Sequence, residues 1–273
     1  MITTKNSFNS QRSSKFILST FFVLFFCLVL LFWKSFLPDT TLASGDAPKP
    51  YIEQSHRDFL PWGHLARWDN SNALGMPGGA LPIAPGYLLS YVVPFAKYSD
   101  ANYLLHLFLL GLFSYLFLYD ITRNRASALL GGIWMMLQPH VLSHILPGHT
   151  GHLLMMGWIP GVFWLVRRAV QSEHWACWCL AGGLFGIALN SGVVDVGLFW
   201  ALLIAAYTLF LLIRKFRAEP PPGTPSASSL KPLLRLGRNL CLAAILALMT
   251  GYQAIVIVIG MEARGQTPTP EIT

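Results

Sequence analysis

Side chains able to do chemistry gather in three stretches of this 273-residue chain. The first is the polar segment from Pro38 to Pro82. It carries Asp39, Asp46, Glu53, Asp58 and Asp69, with His56, His64, Arg57, Arg67, Trp62 and Trp68 among them. An ionised carboxylate there can act as general base on an acceptor hydroxyl, or hold a metal beside a phosphate leaving group. Arg57 and Arg67 can clamp phosphate oxygens bidentately, as can Arg264 near the end of the chain. Trp62 and Trp68 offer flat faces on which a sugar ring can stack. The second stretch holds His140, His144, His149 and His152 within 13 residues. His140 and His144 are four apart and can share a helix face. Four such imidazoles could bind zinc, but an anionic phosphate or sugar hydroxyls are the favoured ligands. The third is Asp195, in an apolar run just past the turn Asn190-Ser191-Gly192. An acid within a membrane is a functional candidate because burial there is expensive, and the turn shrinks that penalty by keeping Asp195 near the surface. Each has a plainer alternative: solvated loop charges and turn formers, interfacial histidines bonded to water or backbone, and a surface-lying acid.

These residues must be positioned by elements of a membrane protein. Hydrophobic residues make up 54% of the chain and charged residues only 11%, against about 25% charge in soluble domains. Several apolar runs reach spanning length. The net charge of +7 fits basic cytoplasmic loops better than a nucleic-acid surface, and no folded basic domain is legible. Cys27, Cys177, Cys179 and Cys241 all fall in apolar runs. Lone apolar cysteines are packing residues, and the spacing of Cys177 and Cys179 suits neither a redox nor a zinc pair.

The expected fold is an all-α polytopic membrane protein of about seven transmembrane helices, with a long first extracytoplasmic loop. Residues 1–15 form a cytoplasmic tail and 16–261 the transmembrane domain. Within it, 38–100 is the outer loop and 214–239 a cytoplasmic linker; 262–273 is a disordered extracytoplasmic tail. The spans are Phe16–Trp33, Ala101–Tyr119, Ala126 to about Ser143, the run ending near Val166, Trp175–Leu189, Val193–Ile213 and Leu240–Met261. The first run is long for a signal peptide and has a poor cleavage site, so it reads as an uncleaved helix. Ile83–Ala96 is too short to cross and reads as an interfacial or re-entrant segment. Gly131-Gly132 and Gly182-Gly183 permit close helix contact. With the N-terminus inside, 13 Lys and Arg lie on inner segments and six on outer ones, which favours an N-in, C-out topology. The three stretches then share the outer face.

Three short sequences resemble the membrane-embedded GT-C glycosyltransferase superfamily, and its bacterial YfhO-type branch in particular. One is Trp68-Asp69-Asn70-Ser71-Asn72-Ala73-Leu74-Gly75-Met76-Pro77. Another is Gly148-His149-Thr150-Gly151-His152 followed by Trp158-Ile159-Pro160. The last is the short turn leading to Asp195. The likeness covers roughly residues 16 to 215 and implies sugar transfer from a polyprenyl-phosphate donor to an extracytoplasmic acceptor, in a bacterial inner membrane. It implies Asp46 as the acid that activates the acceptor, with Asp69 second. Arg67, Trp68, His149, His152 and Asp195 are then candidates for binding substrate. Membrane lipid and the polyprenyl-phosphate sugar are the expected partners, nucleic acid is not, and oligomeric state stays open. No cofactor is required, although a divalent metal could serve. Family members are usually longer, which implies an N-terminal fragment, a split gene or a degenerate copy. The alternatives are a non-catalytic polytopic protein (an assembly or lipid-binding subunit, or a truncated inactive enzyme) and a transporter, for which His106 and Asp195 give only a thin polar path.

Overall fold

Lipid offers no partners for backbone N–H and C=O groups, so an apolar run must pair them internally as a helix. The computed structural model of the chain describes residues 5–37, 97–145, 149–191, 193–217 and 231–251, with short pieces at 40, 42, 67–69, 76–78, 89, 92–94 and 147. Its elements in order are α1 (Lys5–Leu31), a 3-10 turn (Trp33–Phe36), β1 (Arg67–Asp69), β2 (Met76–Gly78), α2 (Tyr98–Thr122), α3 (Arg125–Leu137), α4 (Pro139–Ser143), α5 (Thr150–Ser172), α6 (Trp175–Leu189), α7 (Val194–Arg217) and α8 (Lys231–Thr250). The protein is thus mostly helical.

Among the described residues three helices are long and apolar enough to cross a membrane: Tyr98–Thr122, Gly151–Ser172 and Asp195–Lys215. Leu18–Leu31 and Trp175–Leu189 are shorter apolar helices. The 13 residues of α3 rise only about 20 Å, short of a hydrocarbon core about 30 Å thick. Its run breaks at Gln138, whose backbone is extended at ψ 142°. Pro139 disfavours the helical conformation in the residue before it, yet starts α4 well because a first-turn N–H has no helical partner anyway.

Several helices outrun their apolar stretches. α1 takes in Lys5 to Lys15, α5 continues through Arg167 and Arg168, and α8 starts at Lys231, inside the expected linker. Likewise α2 takes in Tyr98 to Asp100, the end of the expected outer loop. Long Lys and Arg side chains can lie along a helix and reach water, so hydropathy marks where lipid ends rather than where a helix ends. The turns are local. Arg123 and Glu173 stop α2 and α5 in the left-handed region, at φ 55° and 56°, and the Asn124 side chain caps α3 by accepting from the Ser127 N–H at 3.2 Å. Most of Ile83–Ala96, and the expected last span beyond Gly251, lie outside the described residues.

Helix α5 is central. Gly157 packs on His106, Gly161 on Phe113 and Arg167 on Asp120, so α2 and α5 run in the same direction. A Cβ on Gly132 would stand 2.7 Å from the Gly111 carbonyl oxygen, which brings α3 close to α2. A Cβ on Gly182 would strike the Ala243 carbonyl, which sets α6 against α8. Of the two glycine pairs, only these members meet another backbone: Gly131 meets the tip of Leu118, and Gly183 meets nothing within 4 Å. Small residues let backbones approach where lipid gives little hydrophobic driving force. In α1, Thr20, Leu24 and Leu28 are buried while Phe22, Phe26 and Leu30 are exposed. The four-residue spacing puts one stripe on the bundle and leaves the other face apolar, as lipid requires. The bundle has two ends: a histidine end, holding α4 and the start of α5, and an arginine end, where α2 and α5 finish.

Candidate functional site at the histidine end

The site is built on the junction of α4 and α5. The His149 N–H donates to the His144 carbonyl at 2.9 Å, which closes the loop between them. His149 then precedes the first residue of α5, and His152 lies three residues on, one helical turn away. Four rings gather as a result. His144 and His152 stack nearly parallel, with centroids 5.1 Å apart and planes 6° apart. His149 lies 5.7 Å from His144 and 5.5 Å from His152, and His140 lies 5.0 Å from His144. One ligand nitrogen from each of His144, His149 and His152 falls within 4.8 Å of the others. Of the candidates named from sequence, His149 and His152 are therefore brought together, and His144 and His140 join them. Burial comes first in holding the His144 pKa below its usual 6.5, followed by the like-charged neighbours His152, His140 and His149. Proton loss is thus favoured, and a neutral ring can accept a hydrogen bond or bind a metal.

The base of the long loop is pinned to the same end. The Leu42 N–H donates to Asp100 Oδ1 at 2.8 Å. Lys97 Nζ donates to the Ser35 carbonyl at 2.9 Å and also to the Thr40 carbonyl, and lies 3.7 Å from Asp100 Oδ2. Chain 58 residues apart is thereby clamped together. Leu42 also packs against the core cluster that contains Val141, Ile145 and Leu153, residues interleaved with the histidines. Asp46 itself lies outside the described residues, but four residues of chain cannot carry it more than about 14 Å from Leu42.

The other candidates divide. Arg67, Trp68 and Asp69 form β1, whose backbone pairs antiparallel with β2 in the register Arg67 with Gly78, Trp68 with Pro77 and Asp69 with Met76. The stretch Trp68 to Pro77 is therefore a hairpin, and its connection at 70–75 lies outside the described residues. So do Asp39, Glu53, His56, Arg57, Asp58, Trp62, His64 and Arg264. The turn before Asp195 does reach the histidine end: a Cβ on Gly151 would stand 2.5 Å from both the Ser191 carbonyl oxygen and Val193 Cγ2. Asp195 is exposed in the first turn of α7, where a carboxylate is favoured by the helix dipole. Among the described residues it makes no ion pair or hydrogen bond with the histidines. His106 is buried at 1% exposure, with Nδ1 2.8 Å from the Asn102 carbonyl and its ring edge-on to Trp158.

Sequence reasoning passed over two features. One is the Asp100 and Lys97 clamp just described. The other is Asp120, 2% exposed at the arginine end. Its Oδ2 accepts from Arg167 Nε at 2.8 Å, and its Oδ1 lies 3.3 Å from Arg123 and 3.4 Å from Arg168. An acid three residues before Arg123 was the available sign of a local pair, and Arg167 and Arg168 come from the parallel helix α5. A net positive group remains, at helix C-termini where positive charge is favoured. The chain matches no family model, no curated protein and no solved structure.

Proposed function

We propose that this protein is a membrane glycosyltransferase that moves a sugar from a polyprenyl-phosphate donor to an acceptor hydroxyl at the histidine end of the bundle. In this reading Asp46, with Asp69 second, takes the acceptor proton. The acceptor oxygen bonds to the anomeric carbon as the bond to phosphate breaks, and polyprenyl phosphate leaves. The histidines, with Arg67, hold the phosphate, so the protein contributes position and charge stabilisation. Seven spans, an N-in and C-out topology and a bacterial inner membrane belong to the same proposal, which also places the histidine end outside. The supporting observation is the Leu42–Asp100 hydrogen bond, which tethers the chain just before Asp46 to the end that bears His149 and His152. The sugar-transfer chemistry and the role of Asp46 in this reading come from the resemblance of the three short stretches to GT-C enzymes.

The test is turnover of a polyprenyl-phosphate sugar by the purified full chain in lipid. Activity that Asp46→Asn abolishes, while the variant still inserts, supports the proposal; wild-type activity in both Asp46→Asn and Asp69→Asn removes the loop acids from the mechanism. A non-catalytic subunit is the second reading. It bears on α7, whose exposed Leu198, Phe199, Leu202 and Phe210 form an apolar face that lipid or a partner chain could cover. A stable partner recovered on gentle detergent extraction, with every loop acid replaceable, supports that reading.

A further inference from the structure

We propose that His144, His149 and His152 form a zinc site with an open fourth position. The three come from one short segment with the spacing His-x4-His-x2-His. Backbone ties the three together: the His149 N–H bond to the His144 carbonyl joins those two residues, and the first turn of α5 sets His149 beside His152. The ligand nitrogens already lie within 4.8 Å of one another. Tetrahedral zinc with bonds of about 2.0–2.1 Å sets them roughly 3.3 Å apart. The closure needed is up to about 1.5 Å, and one ring of the stacked His144 and His152 pair must turn so that both nitrogens face a common point.

A second observation points the same way. His144 Nε2 is buried and has no hydrogen-bond partner among the described residues. Buried polar nitrogens are normally satisfied, and one on a ring with two further imidazoles beside it suits a shared cation. Ring stacking alone gives no role to that nitrogen. The donor set selects the ion: three neutral nitrogens suit zinc and its late first-row neighbours, whereas magnesium and calcium take oxygen. Three protein ligands are also the number that leaves zinc a place for water or an anion. His149 is exposed, so the cluster lies within reach of solvent. His140, exposed and four residues before His144, neighbours the site without belonging to the set whose nitrogens converge.

The site stands on this geometry alone and does not depend on sugar transfer. Its fourth ligand, when not water, is an oxyanion such as a phosphate oxygen.

The experiment uses the full chain, purified in detergent without a polyhistidine tag and stripped by a chelator. Cobalt(II) is titrated in as a spectroscopic probe, and zinc is then used to compete. The expected result is one cobalt per chain with the intense visible bands of a four-coordinate ion, displaced by zinc in equal amount. His149→Gln, at an exposed position where folding is least at risk, should weaken binding at least about tenfold, and His144→Gln and His152→Gln should do the same. His140→Gln should leave the spectrum and affinity unchanged. Inorganic phosphate should shift the cobalt bands by replacing water. A featureless titration, an octahedral spectrum, or binding that persists at full strength in His149→Gln overturns the site.

Discussion

Replacing Asp120 with asparagine tests whether one buried carboxylate holds the arginine end together. The carboxylate is 2% exposed, and its partner Arg167, at 2.8 Å, is 16% exposed. Arg123 and Arg168 are 65% and 49% exposed. Solvent screens these two, so each contributes about 0–1 kcal/mol. Removing one member of a buried pair costs about 3–5 kcal/mol, because the other charge is left alone. Asparagine keeps the shape and an acceptor oxygen for Arg167 Nε, which retains about 1 kcal/mol. Asp120→Asn should therefore destabilise the protein by about 2–4 kcal/mol, nearly all of it through Arg167. Reversible unfolding in mixed micelles, followed by helicity, measures this. Arg167→Met and the double variant complete the cycle, and the coupling should be about 2 kcal/mol. A single variant within about 0.5 kcal/mol of the parent, or strictly additive losses, would refute the clamp.

Other expectations concern helix contact, pH and the loop base. Gly182→Ala should lose about 1–3 kcal/mol by forcing α6 off the Ala243 carbonyl, whereas Gly183→Ala, with nothing within 4 Å, should unfold no more easily than the parent in the same assay. Glu173 joins α5 to α7 through Lys215 Nζ at 2.5 Å and to α8 through Arg235 at 3.6 Å. The hydrogen bond and charge of Lys215 hold its pKa below the usual 4.5. The folded state therefore releases this proton more readily than the unfolded chain. Its stabilisation is full above pH 4.5 and fades as pH falls through the lowered folded value. With Glu173 half exposed the loss should stay under about 1 kcal/mol, and Glu173→Gln should erase that part of the acid dependence in a melting series. Asp100→Ala frees Leu42, so limited proteolysis between 43 and 96 should quicken while the helix content stays unchanged; an identical cleavage rate would deny the clamp.

What could be read in advance follows from how local each signal is. The apolar runs announced helices because apolar chain in lipid has little other choice. The histidine cluster was visible for a similar reason: His140, His144, His149 and His152 lie within one short segment, so a turn alone can gather them. Asp120 was not read, because its main partner Arg167 is 47 residues away, too far for spacing along the chain to pair them. The Leu42 and Asp100 contact spans 58 residues and leaves no periodic trace at all. Helix ends were misjudged wherever Lys and Arg continue a helix beyond the apolar run, as at Lys231 and Arg217. The hairpin of β1 and β2 was seen as a motif but not as a strand pair, since three-residue strands are too short for an alternating pattern to emerge.

The most direct measurement is labelling of single cysteines at positions 46, 149 and 195 by a membrane-impermeant thiol reagent in intact cells. The background replaces Cys27, Cys177, Cys179 and Cys241 with serine, and cysteines at 125 and 217 serve as reporters of the arginine end. The expected result is that 46, 149 and 195 react without permeabilisation, and that 125 and 217 react only after it. Labelling of 46 and 149 from opposite sides would contradict a shared site at the histidine end.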